Sequence, residues 1–387
     1  TVDLLEPALD ALFLFCEIHA DYRTGDLLFG EAHAMLGAGD GQPTALGMRM
    51  LGHQGACQIM LGNYGDGVRL VEAALVQAGD EHDHAWMLVY DSIAAGEQGD
   101  LPRMWAQLEA SLAIFQQLQD DAGIALALHH RQYCETDYAK AYVLAAESLS
   151  FARRAERLNL VTATLSYLGW QALCLGLYDQ ALAHFNEALA LATEFGFREE
   201  QAWTLDCLGY MAWGRGDMVA AERDLRAAMA GYTAVGRQAH IGMSMAELSL
   251  VLTDTNRVAQ AVPLVRQAVA LTREANSQLM LVTSLLYESW AYMVAGDLAS
   301  ARPSVSEGLA RAWQHQYLFM VMSAFYFFAQ SLDRESDQRT EADAIAQRSL
   351  AVALLAHVRG STATWQIFRD KAAVLQGQIE PKLPAGV

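Results

Sequence analysis

The most regular feature of the chain is a small residue that returns every 40 positions in an apolar setting. Alanine fills each of these positions, which are Ala141, Ala181, Ala221, Ala261 and Ala301. Further apolar or small residues follow each alanine four and seven places later. Spacings of four and seven keep side chains on one face of an α-helix. A period of about 20 to 50 residues is typical of proteins that stack helical hairpins. The pattern therefore predicts an all-α chain of repeated hairpins.

Two neighbouring repeats fill the same positions with the same kinds of residue. The first has Leu165, Leu168, Gly169 and Ala172 before Ala181, Phe185 and Ala188, and the second has Leu205, Leu208, Gly209 and Ala212 before Ala221, Leu225 and Ala228. The small residues allow the two helices of a hairpin to approach closely, and Phe or Leu fills the space to the next hairpin. A Gly-Asp pair recurs between the helices, where glycine ends one helix and aspartate caps the next: Gly99-Asp100, Gly216-Asp217 and Gly296-Asp297.

This arrangement resembles the tetratricopeptide repeat, which places Leu-Gly and a small or aromatic residue on helix A, and Ala, Phe and Ala on helix B. The resemblance implies a right-handed superhelix whose hairpins bury their apolar faces against their neighbours. Extending the register both ways predicts about nine hairpins over residues 5–358. We expect a single domain over residues 1–387, with a capping helix at about 361–379 and a disordered tail at 380–387.

The expected capping helix has one apolar face. The apolar residues predicted to cover the last hairpin are Trp365, Phe368 and Leu375. The charged residues predicted to face water are Arg369, Asp370 and Lys371. Such terminal caps close the exposed end of a repeat array.

Charge and composition bear on the partners of the chain. It has 26 Lys and Arg against 45 Asp and Glu, a net charge of −19, so we expect no direct binding to nucleic acid, whose phosphates need basic residues. The acidity either keeps an apolar solenoid in solution or indicates a basic partner. The most apolar stretch, Tyr317 to Leu332, is shorter than the about 20 residues of a membrane span. With five cysteines, no CxxC pair and no signal peptide, a cytoplasmic protein without a membrane contact is expected.

Long apolar arrays of this period also resemble the sensor arms of large bacterial signal-transduction ATPases, the group that includes the maltose regulator. The resemblance implies an attached ATPase domain in a longer protein and a role in transcription regulation. The chain begins at Thr1 without an initiator methionine, which agrees with a piece of a longer polypeptide. The sequence contains no phosphate-binding G-x-x-x-x-G-K-[ST] loop.

The same resemblance implies that places two, five, nine and twelve of each helix A face the concave side of the superhelix. The ninth place holds His130, Trp170, Tyr210, Leu250, Trp290 and Gln330, and the twelfth holds Tyr133, Leu173, Trp213, Thr253 and Met293. Aromatic rings with a polar tip are favoured at binding hot spots. They either line a groove for a peptide, a protein segment or a small-molecule inducer, or pack between helices of a closed superhelix. The helices of Trp290 and Tyr326 are apolar all round, as buried helices are.

Three carboxylates interrupt apolar helices A: Asp206, Glu247 and Glu288. A buried unpaired charge costs several kcal/mol, so each is expected to have a partner, reach solvent or be protonated. If they face the groove, they favour a cationic or multiply hydroxylated ligand. The alternative is a hydrogen bond to the neighbouring hairpin, with Ser166, Ser244 or Ser289 as the donor.

Candidate catalytic groups are few. Glu81, His82, Asp83 and His84 have metal-ligand side chains but fall in a predicted loop between hairpins, where adjacent side chains diverge. His129, His130 and Cys134 offer a base and a nucleophile at helical spacing, without an orienting acid or an oxyanion hole. We therefore predict no catalysis, no metal site and no cofactor.

Three functions agree with these observations. In the first, the array is a sensor that binds a ligand in its groove and changes its superhelical width, which requires different affinities for the two forms. In the second, it is a passive scaffold that holds a partner helix or tail along the same surface. In the third, exposed end hairpins mediate self-association.

Overall fold

The computed structural model describes residues 2–37, 44–76 and 80–384, except for the side chains of residues 2–7 and 10. Within these ranges the chain forms 19 α-helices and no β-strand. Consecutive helices pack in pairs, so that nine hairpins and one last helix account for the described structure. The predicted all-α array of about nine hairpins with a closing helix is confirmed.

The first five hairpins are α1 (Val2–His19) with α2 (Tyr22–Gly37), α3 (Ala45–Met60) with α4 (Tyr64–Leu75), α5 (Glu81–Glu97) with α6 (Leu101–Leu118), α7 (Asp121–Arg131) with α8 (Tyr138–Arg154), and α9 (Leu158–Cys174) with α10 (Tyr178–Phe195). Hairpins 6 to 9 are α11 (Arg198–Arg215) with α12 (Met218–Val235), α13 (Gln238–Asp254) with α14 (Val258–Glu274), α15 (Gln278–Ala295) with α16 (Leu298–Gln314), and α17 (Leu318–Ser336) with α18 (Glu341–Gly360). The last helix is α19 (Gln366–Ile379), and 3-10 turns occur at Gln132–Cys134 and Glu380–Lys382. The first helix of each hairpin is helix A, and the second is helix B.

The close approach within hairpins occurs where the sequence predicts it. Ala181 and Ala221 have no solvent exposure on helices B. Opposite them, Gly169 lies against the ring of Phe185, and Gly209 lies against Leu225, with no room for a Cβ atom at either glycine. Small residues on both helices therefore bring the two backbones together, and the larger side chain fills the remaining space.

The Gly-Asp pairs end helices A and start helices B as predicted. Gly216 adopts φ 86°, in the left-handed region that favours glycine. The next residue, Asp217, then accepts a hydrogen bond from the backbone N–H of Ala220 at 3.0 Å. Such an N-cap satisfies a donor that the helix itself cannot satisfy. The sequence signal and the observed turn thus have the same physical cause.

The superhelix contacts itself between successive turns. Arg237 donates to the backbone carbonyl of Met60, and Ser277 Oγ donates to Glu97 Oε2 at 2.7 Å. His315 Nδ1 lies 3.2 Å from the carbonyl oxygen of Gly99. These pairs are 177, 180 and 216 residues apart, which is between four and six hairpins at the 40-residue period. We call these three contacts the inter-turn seam.

The seam departs from the usual behaviour of solenoids, in which a repeat contacts only its neighbours. Arg237, just before α13, also pairs with Glu199 at 2.9 Å, and both side chains are less than one fifth exposed. A buried guanidinium shared between a carboxylate and a carbonyl oxygen has specific geometry. The three contacts of the seam tie hairpins 2 and 3 to hairpins 7 and 8.

The closing helix differs from its prediction in position and contacts. It begins at Gln366, and residues 361–365 are not α-helical. It packs against α18, as predicted, but it also reaches α9 and α11, several hairpins away. Lys371 does not face water: its Nζ lies 4.1 Å from the ring centroid of Trp213. Superhelical curvature brings α19 to these helices, and the local sequence pattern of a cap does not encode that curvature.

The expected disordered tail is also partly wrong. Glu380–Lys382 form a 3-10 turn, and Lys382 Nζ lies 2.8 Å from the carboxylate of Asp333. This ion pair to the end of α17 holds the segment against the last hairpin. Residues 385–387 lie outside the described residues. In the part of the chain that the structure describes, no helix has the length and apolar character needed to cross a membrane.

Candidate functional site

A continuous run of aromatic rings begins in the 3-10 turn after α7 and continues along the helices A of hairpins 5 and 6. We call it the aromatic wall; its members are Tyr133, Tyr167, Trp170, Trp203, Tyr210 and Trp213. Neighbouring ring centroids are 4.9 to 6.2 Å apart: Tyr133–Tyr167 4.9 Å, Tyr167–Trp203 5.1 Å, Trp170–Trp203 6.2 Å, Trp170–Tyr210 5.6 Å and Tyr210–Trp213 5.2 Å. Aromatic pairs at these separations attract each other beyond simple burial.

Four of these rings were predicted from the repeat register, and two were missed. Trp203 is at the second place of its repeat, which is one of the concave places that the resemblance implies. The predicted groove rings of the wall come instead from places nine and twelve. Tyr167 is one residue past the fifth place of its repeat. Applying all four places finds Trp203, whereas Tyr167 lies outside all four places.

The wall is open at one end and covered at the other. Tyr133 is 42% exposed, and Tyr167, Trp170 and Trp203 are half-buried. We call these four residues the open end. Tyr210 and Trp213 are only 2% and 1% exposed. The predicted groove residue His130 is half-buried beside the open end, where its ring lies 6.1 Å from that of Tyr133.

Helix α19 and the residue before it cover the other end of the wall. Trp365 packs edge to face against Trp170, with centroids 5.2 Å apart. One turn later, Phe368 lies 6.0 Å from Trp213 and 5.5 Å from the predicted groove residue Tyr326. Part of the surface that was predicted as a groove is thus occupied by the chain itself.

Trp213 and Trp290 are tied together by one carboxylate. Their indole N–H groups donate to the two oxygens of Asp254, at 2.8 Å and 2.9 Å. Trp290 has no exposed surface, and Tyr326 is buried between Phe327 and Phe368. For Trp213, Trp290 and Tyr326, the structure agrees with the alternative that the rings pack between neighbouring helices A.

Asp206 and Glu247 form a buried carboxyl pair between α11 and α13. Ser244 Oγ donates to Asp206 Oδ1 at 2.5 Å, as the alternative with a serine donor predicts. Burial raises the pKa of both carboxyl groups, and the charge of Asp206 raises that of Glu247 further. Two buried carboxylates cannot both be ionised at close range, so the pair holds one proton near neutral pH.

Glu288 is separate from this pair. Its Oε2 accepts a hydrogen bond from Ser304 Oγ of α16 at 2.7 Å, within the same hairpin. Burial raises the pKa of Glu288. The structure therefore does not bring Asp206, Glu247 and Glu288 together as one ligand site.

Charged side chains lie close to the open end, and we call this group of charged residues the chamber. The pKa of Tyr167 is raised by burial and further by the charges of Glu97 and Glu199. Glu200, next to Glu199, is half-buried, and burial together with Glu199 raises its pKa to about 8. A carboxyl group with a raised pKa is one that a nearby cation would stabilise in its ionised form.

The chamber continues toward α1. Tyr90 OH donates to Glu17 Oε1 at 2.5 Å, and Arg157 lies 3.7 Å from the other oxygen of Glu17. These residues border a cavity of about 180 Å³ that α3 and α5 also line. Among the chamber side chains named here, four are carboxylic acids and two are guanidinium groups: Glu17, Glu97, Glu199 and Glu200, and Arg157 and Arg237.

The candidate catalytic groups do not form an activated pair. Burial lowers the pKa of His130 to about 4 and that of His129 well below its ordinary value. Burial also raises the pKa of Cys134 to about 11. A cysteine nucleophile needs a depressed pKa. The pKa of Cys134 is raised instead, so His129 and His130 do not activate this thiol.

The acidic and histidine run near residue 82 is helical rather than a loop. Helix α5 begins at Glu81, and Asp80 caps it by accepting from the backbone N–H of Asp83 at 2.8 Å. Asp80, His82 and Asp83 each place one possible metal-ligand atom within 4.8 Å of the others. However, Asp83 pairs with Arg49 at 2.9 Å, and Asp80 serves as the cap. Both groups therefore have structural roles at this helix end.

A family model of the tetratricopeptide repeat matches residues 242–278. This segment begins at the first place of a repeat in the predicted register and covers most of hairpin 7. The chain is a tetratricopeptide-like helical repeat protein.

Solved structures with this tetratricopeptide-like fold cover most of the chain. A Rap protein complexed with competence and sporulation factor is 13% identical, with a TM-score of 0.62, over 96% of this chain and 98% of the Rap chain. The apo form of the quorum sensor NprR from B. thuringiensis is 12% identical, with a TM-score of 0.52, over 91% of this chain and 99% of NprR.

A signal-transduction ATPase with numerous domains from Pyrococcus horikoshii, which has a tetratricopeptide repeat sensor, is 13% identical, with a TM-score of 0.50. That match covers 81% of this chain and 48% of the ATPase. A comparison with curated protein sequences finds no match. At these identities the structural matches establish the fold of the repeat protein alone.

Replacing Trp290 by alanine tests whether this ring belongs to the core. We expect Trp290→Ala to lower the free energy of unfolding by about 3–5 kcal/mol, because it removes a fully buried ring and leaves Asp254 with one indole donor fewer. The matched control is Trp313→Ala on α16, whose ring is 72% exposed, with an expected change within about 0.5 kcal/mol. Urea denaturation followed by circular dichroism measures both. Equal effects would contradict the core assignment.

The Asp206–Glu247 pair predicts a pH dependence of stability. Because burial raises the pKa of Asp206 to about 7, the folded protein keeps a proton that the unfolded chain loses near pH 4. Stability should therefore fall as the pH rises from about 4 to about 7, by at most about 1.4 kcal/mol per pH unit for one proton. Cys207 and Tyr232 keep their protons in this range, because burial raises the pKa of both.

Asp206→Asn should make this slope smaller than in the unchanged chain without abolishing it, because burial also raises the pKa of Glu247, Glu200 and Glu288. Asp179→Asn, at an exposed position of α10, is the matched control and should keep the slope. Chemical denaturation at several pH values measures the effect. A slope equal to that of the unchanged chain would contradict a raised pKa of Asp206 in the folded protein.

Proposed function

We propose that this repeat protein is a non-catalytic binding module that holds a peptide or protein segment against the open end of the aromatic wall. The observation that carries the proposal is the exposure of these rings. Tyr133 is 42% exposed, and three further rings are half-buried beside it, although equivalent rings farther along the wall are fully covered. Large, partly exposed aromatic side chains inside a concave surface are typical of binding hot spots.

The chamber favours a segment that carries positive charge. Its carboxylic acids outnumber its guanidinium groups, and Glu200 has a raised pKa. Among the described residues no Lys or Arg forms an ion pair with Glu200. A Lys or Arg of the bound segment would ionise Glu200 and stack on the neighbouring rings. The net charge of −19 would also increase the rate of encounter with such a partner.

The tetratricopeptide-like structures support a sensory role. The solved Rap protein is a complex with competence and sporulation factor, NprR is a quorum sensor, and the archaeal ATPase has a tetratricopeptide repeat sensor. We infer that this chain serves as the sensory arm of a cytoplasmic bacterial signalling protein, with an attached ATPase domain or a role in transcription regulation. A small-molecule inducer would instead bind in the 180 Å³ cavity, whose lining residues Glu17 and Arg157 belong to the chamber and not to the aromatic wall.

The inter-turn seam supplies the element that a sensor needs. Arg237 and Ser277 hold the N-terminal hairpins against the middle of the superhelix, and both border the chamber. A segment that competes for Glu97 or Glu199 would weaken these contacts and favour a wider superhelix. The switch then depends on the difference in affinity between the two forms.

A second candidate function is self-association through hairpin 1. Helix α2 exposes Leu27 at 65% and Met35 at 79%, although most large apolar residues of the later hairpins are covered. A passive scaffold would use the aromatic wall in the same way as a sensor but without a change of superhelical width.

Selection from a displayed library of random 20-residue peptides tests the proposal. We expect selected peptides to combine Lys or Arg with aromatic residues, and Trp170→Ala to weaken their binding at least tenfold, as expected when about 1.4 kcal/mol or more is lost at a hot spot. Trp313→Ala, on the exposed face of α16, is the control and should leave the affinity unchanged. Equal affinities for both variants would place the binding site elsewhere.

A further inference from the structure

Helix α19 makes two kinds of contact. On one side, Ala372, Leu375 and Ile379 belong to the apolar core shared with the last hairpin. On the other side, Trp365 and Phe368 reach across to hairpins 5 and 6, where they pack on Trp170 and Trp213. Trp365 also stacks on Phe319 of α17, with ring centroids 4.7 Å apart, and Phe368 packs on Tyr326 of the same helix, so these two rings both close the last hairpin and cover the wall.

The contacts with the wall have the composition of a protein–protein interface. Two aromatic anchors three residues apart lie at the centre, and polar contacts surround them. Tyr178 OH donates to Asp370 Oδ2 at 2.6 Å, and Tyr138 OH lies 3.4 Å from the carbonyl oxygen of Ala363. The wall therefore recognises a helix with an aromatic pair on one face and charges at its edge.

This interface also contains unfavourable polar terms. Burial lowers the pKa of Lys371, which lies over Trp213 with Asp254 as the attractive charge. Arg369 Nε and Thr364 Oγ1 are buried and have no hydrogen-bond partner among the described residues. Buried polar groups without partners cost about 1–3 kcal/mol each. These polar groups offset part of the stabilisation that the ring contacts of α19 supply.

We propose that α19 is an internal, reversibly bound ligand of the aromatic wall, and that it must leave before an external amphipathic helix of the same pattern can bind to Trp170, Tyr210 and Trp213. This inference rests on the proposed function and adds its regulation. Release does not require unfolding of the array, because α17 and α18 form a hairpin without α19. Because α19 is tethered to the array, its effective concentration at the wall is high. The apparent affinity of the wall for an external helix is then reduced in proportion to the fraction of time for which the wall is free.

The test uses the full chain and a fluorescent peptide with the sequence of residues 361–382 as the external helix. Lys371→Glu places a carboxylate opposite Asp254 and should release α19 from the wall. Val374→Glu is the matched control, because Val374 is 63% exposed on the same helix. Hydrogen exchange of the α19 amides reports release, and fluorescence anisotropy reports peptide binding.

A locked form provides a second variant that does not depend on loosening the helix. Tyr178→Cys and Asp370→Cys are joined by a bis-maleimide linker with a cleavable disulfide arm, since their side chains touch in the structure. The background is Cys134→Ser, because Cys134 is half-buried, whereas the other four cysteines are buried. Cleaving the linker with a reductant restores the movement of α19.

We expect Lys371→Glu to bind the peptide at least tenfold more tightly than the unchanged chain, and Val374→Glu to bind like the unchanged chain. The locked form should not bind until the linker is cleaved. If the locked and unlocked forms bind equally and Trp170→Ala still weakens binding, the wall binds helices but α19 does not regulate it, and this proposal is wrong. If hydrogen exchange shows that α19 is released and no variant binds the peptide, this proposal is wrong, whereas the proposed function at the open end is tested separately by the selected peptides.

Discussion

The contact between successive turns of the superhelix is the constraint on which the rest of the structure depends. Arg237 joins the start of hairpin 7 to the carbonyl group of Met60 in hairpin 2, and Glu199 neutralises its charge. Taking a guanidinium group out of water is costly unless its donors are satisfied, so this arrangement specifies one curvature closely. With that curvature fixed, hairpins 2 and 3 stay tied to hairpins 7 and 8.

Two consequences follow from this curvature. The N-terminal hairpins bring Glu97 close to Tyr167 and Glu17 close to Glu199, so aromatic and acidic side chains meet although they are distant in sequence. At the other end, the same curvature brings α19 within reach of α9 and α11. The aromatic wall therefore has a buried part, which belongs to the core, and a partly exposed part, which is free to bind. Trp170 lies at the boundary between the two parts.

Much of the fold could be predicted because hairpin packing is local. Alanine and glycine at fixed spacing determine how closely two helices approach, and Gly216 with Asp217 encodes a turn within a few residues. The candidate site was less predictable. The register found Trp170 and Tyr210, but whether a ring such as Trp290 is groove or core depends on superhelical curvature. That curvature is fixed in part by an arginine that donates to a backbone carbonyl 177 residues away, and a carbonyl group leaves no signal in the side-chain sequence. The partners of Lys371 were hidden for the same reason.

The central claim is that α19 lies across the aromatic wall in the unliganded protein. The most direct measurement is the distance between spin labels at Leu177→Cys and Val374→Cys in the Cys134→Ser background. These two solvent-accessible positions flank the contact of Tyr178 with Asp370. Double electron–electron resonance should give one narrow distribution at short distance. A broad distribution at long distances would mean that α19 does not dock on the wall, and would contradict this account.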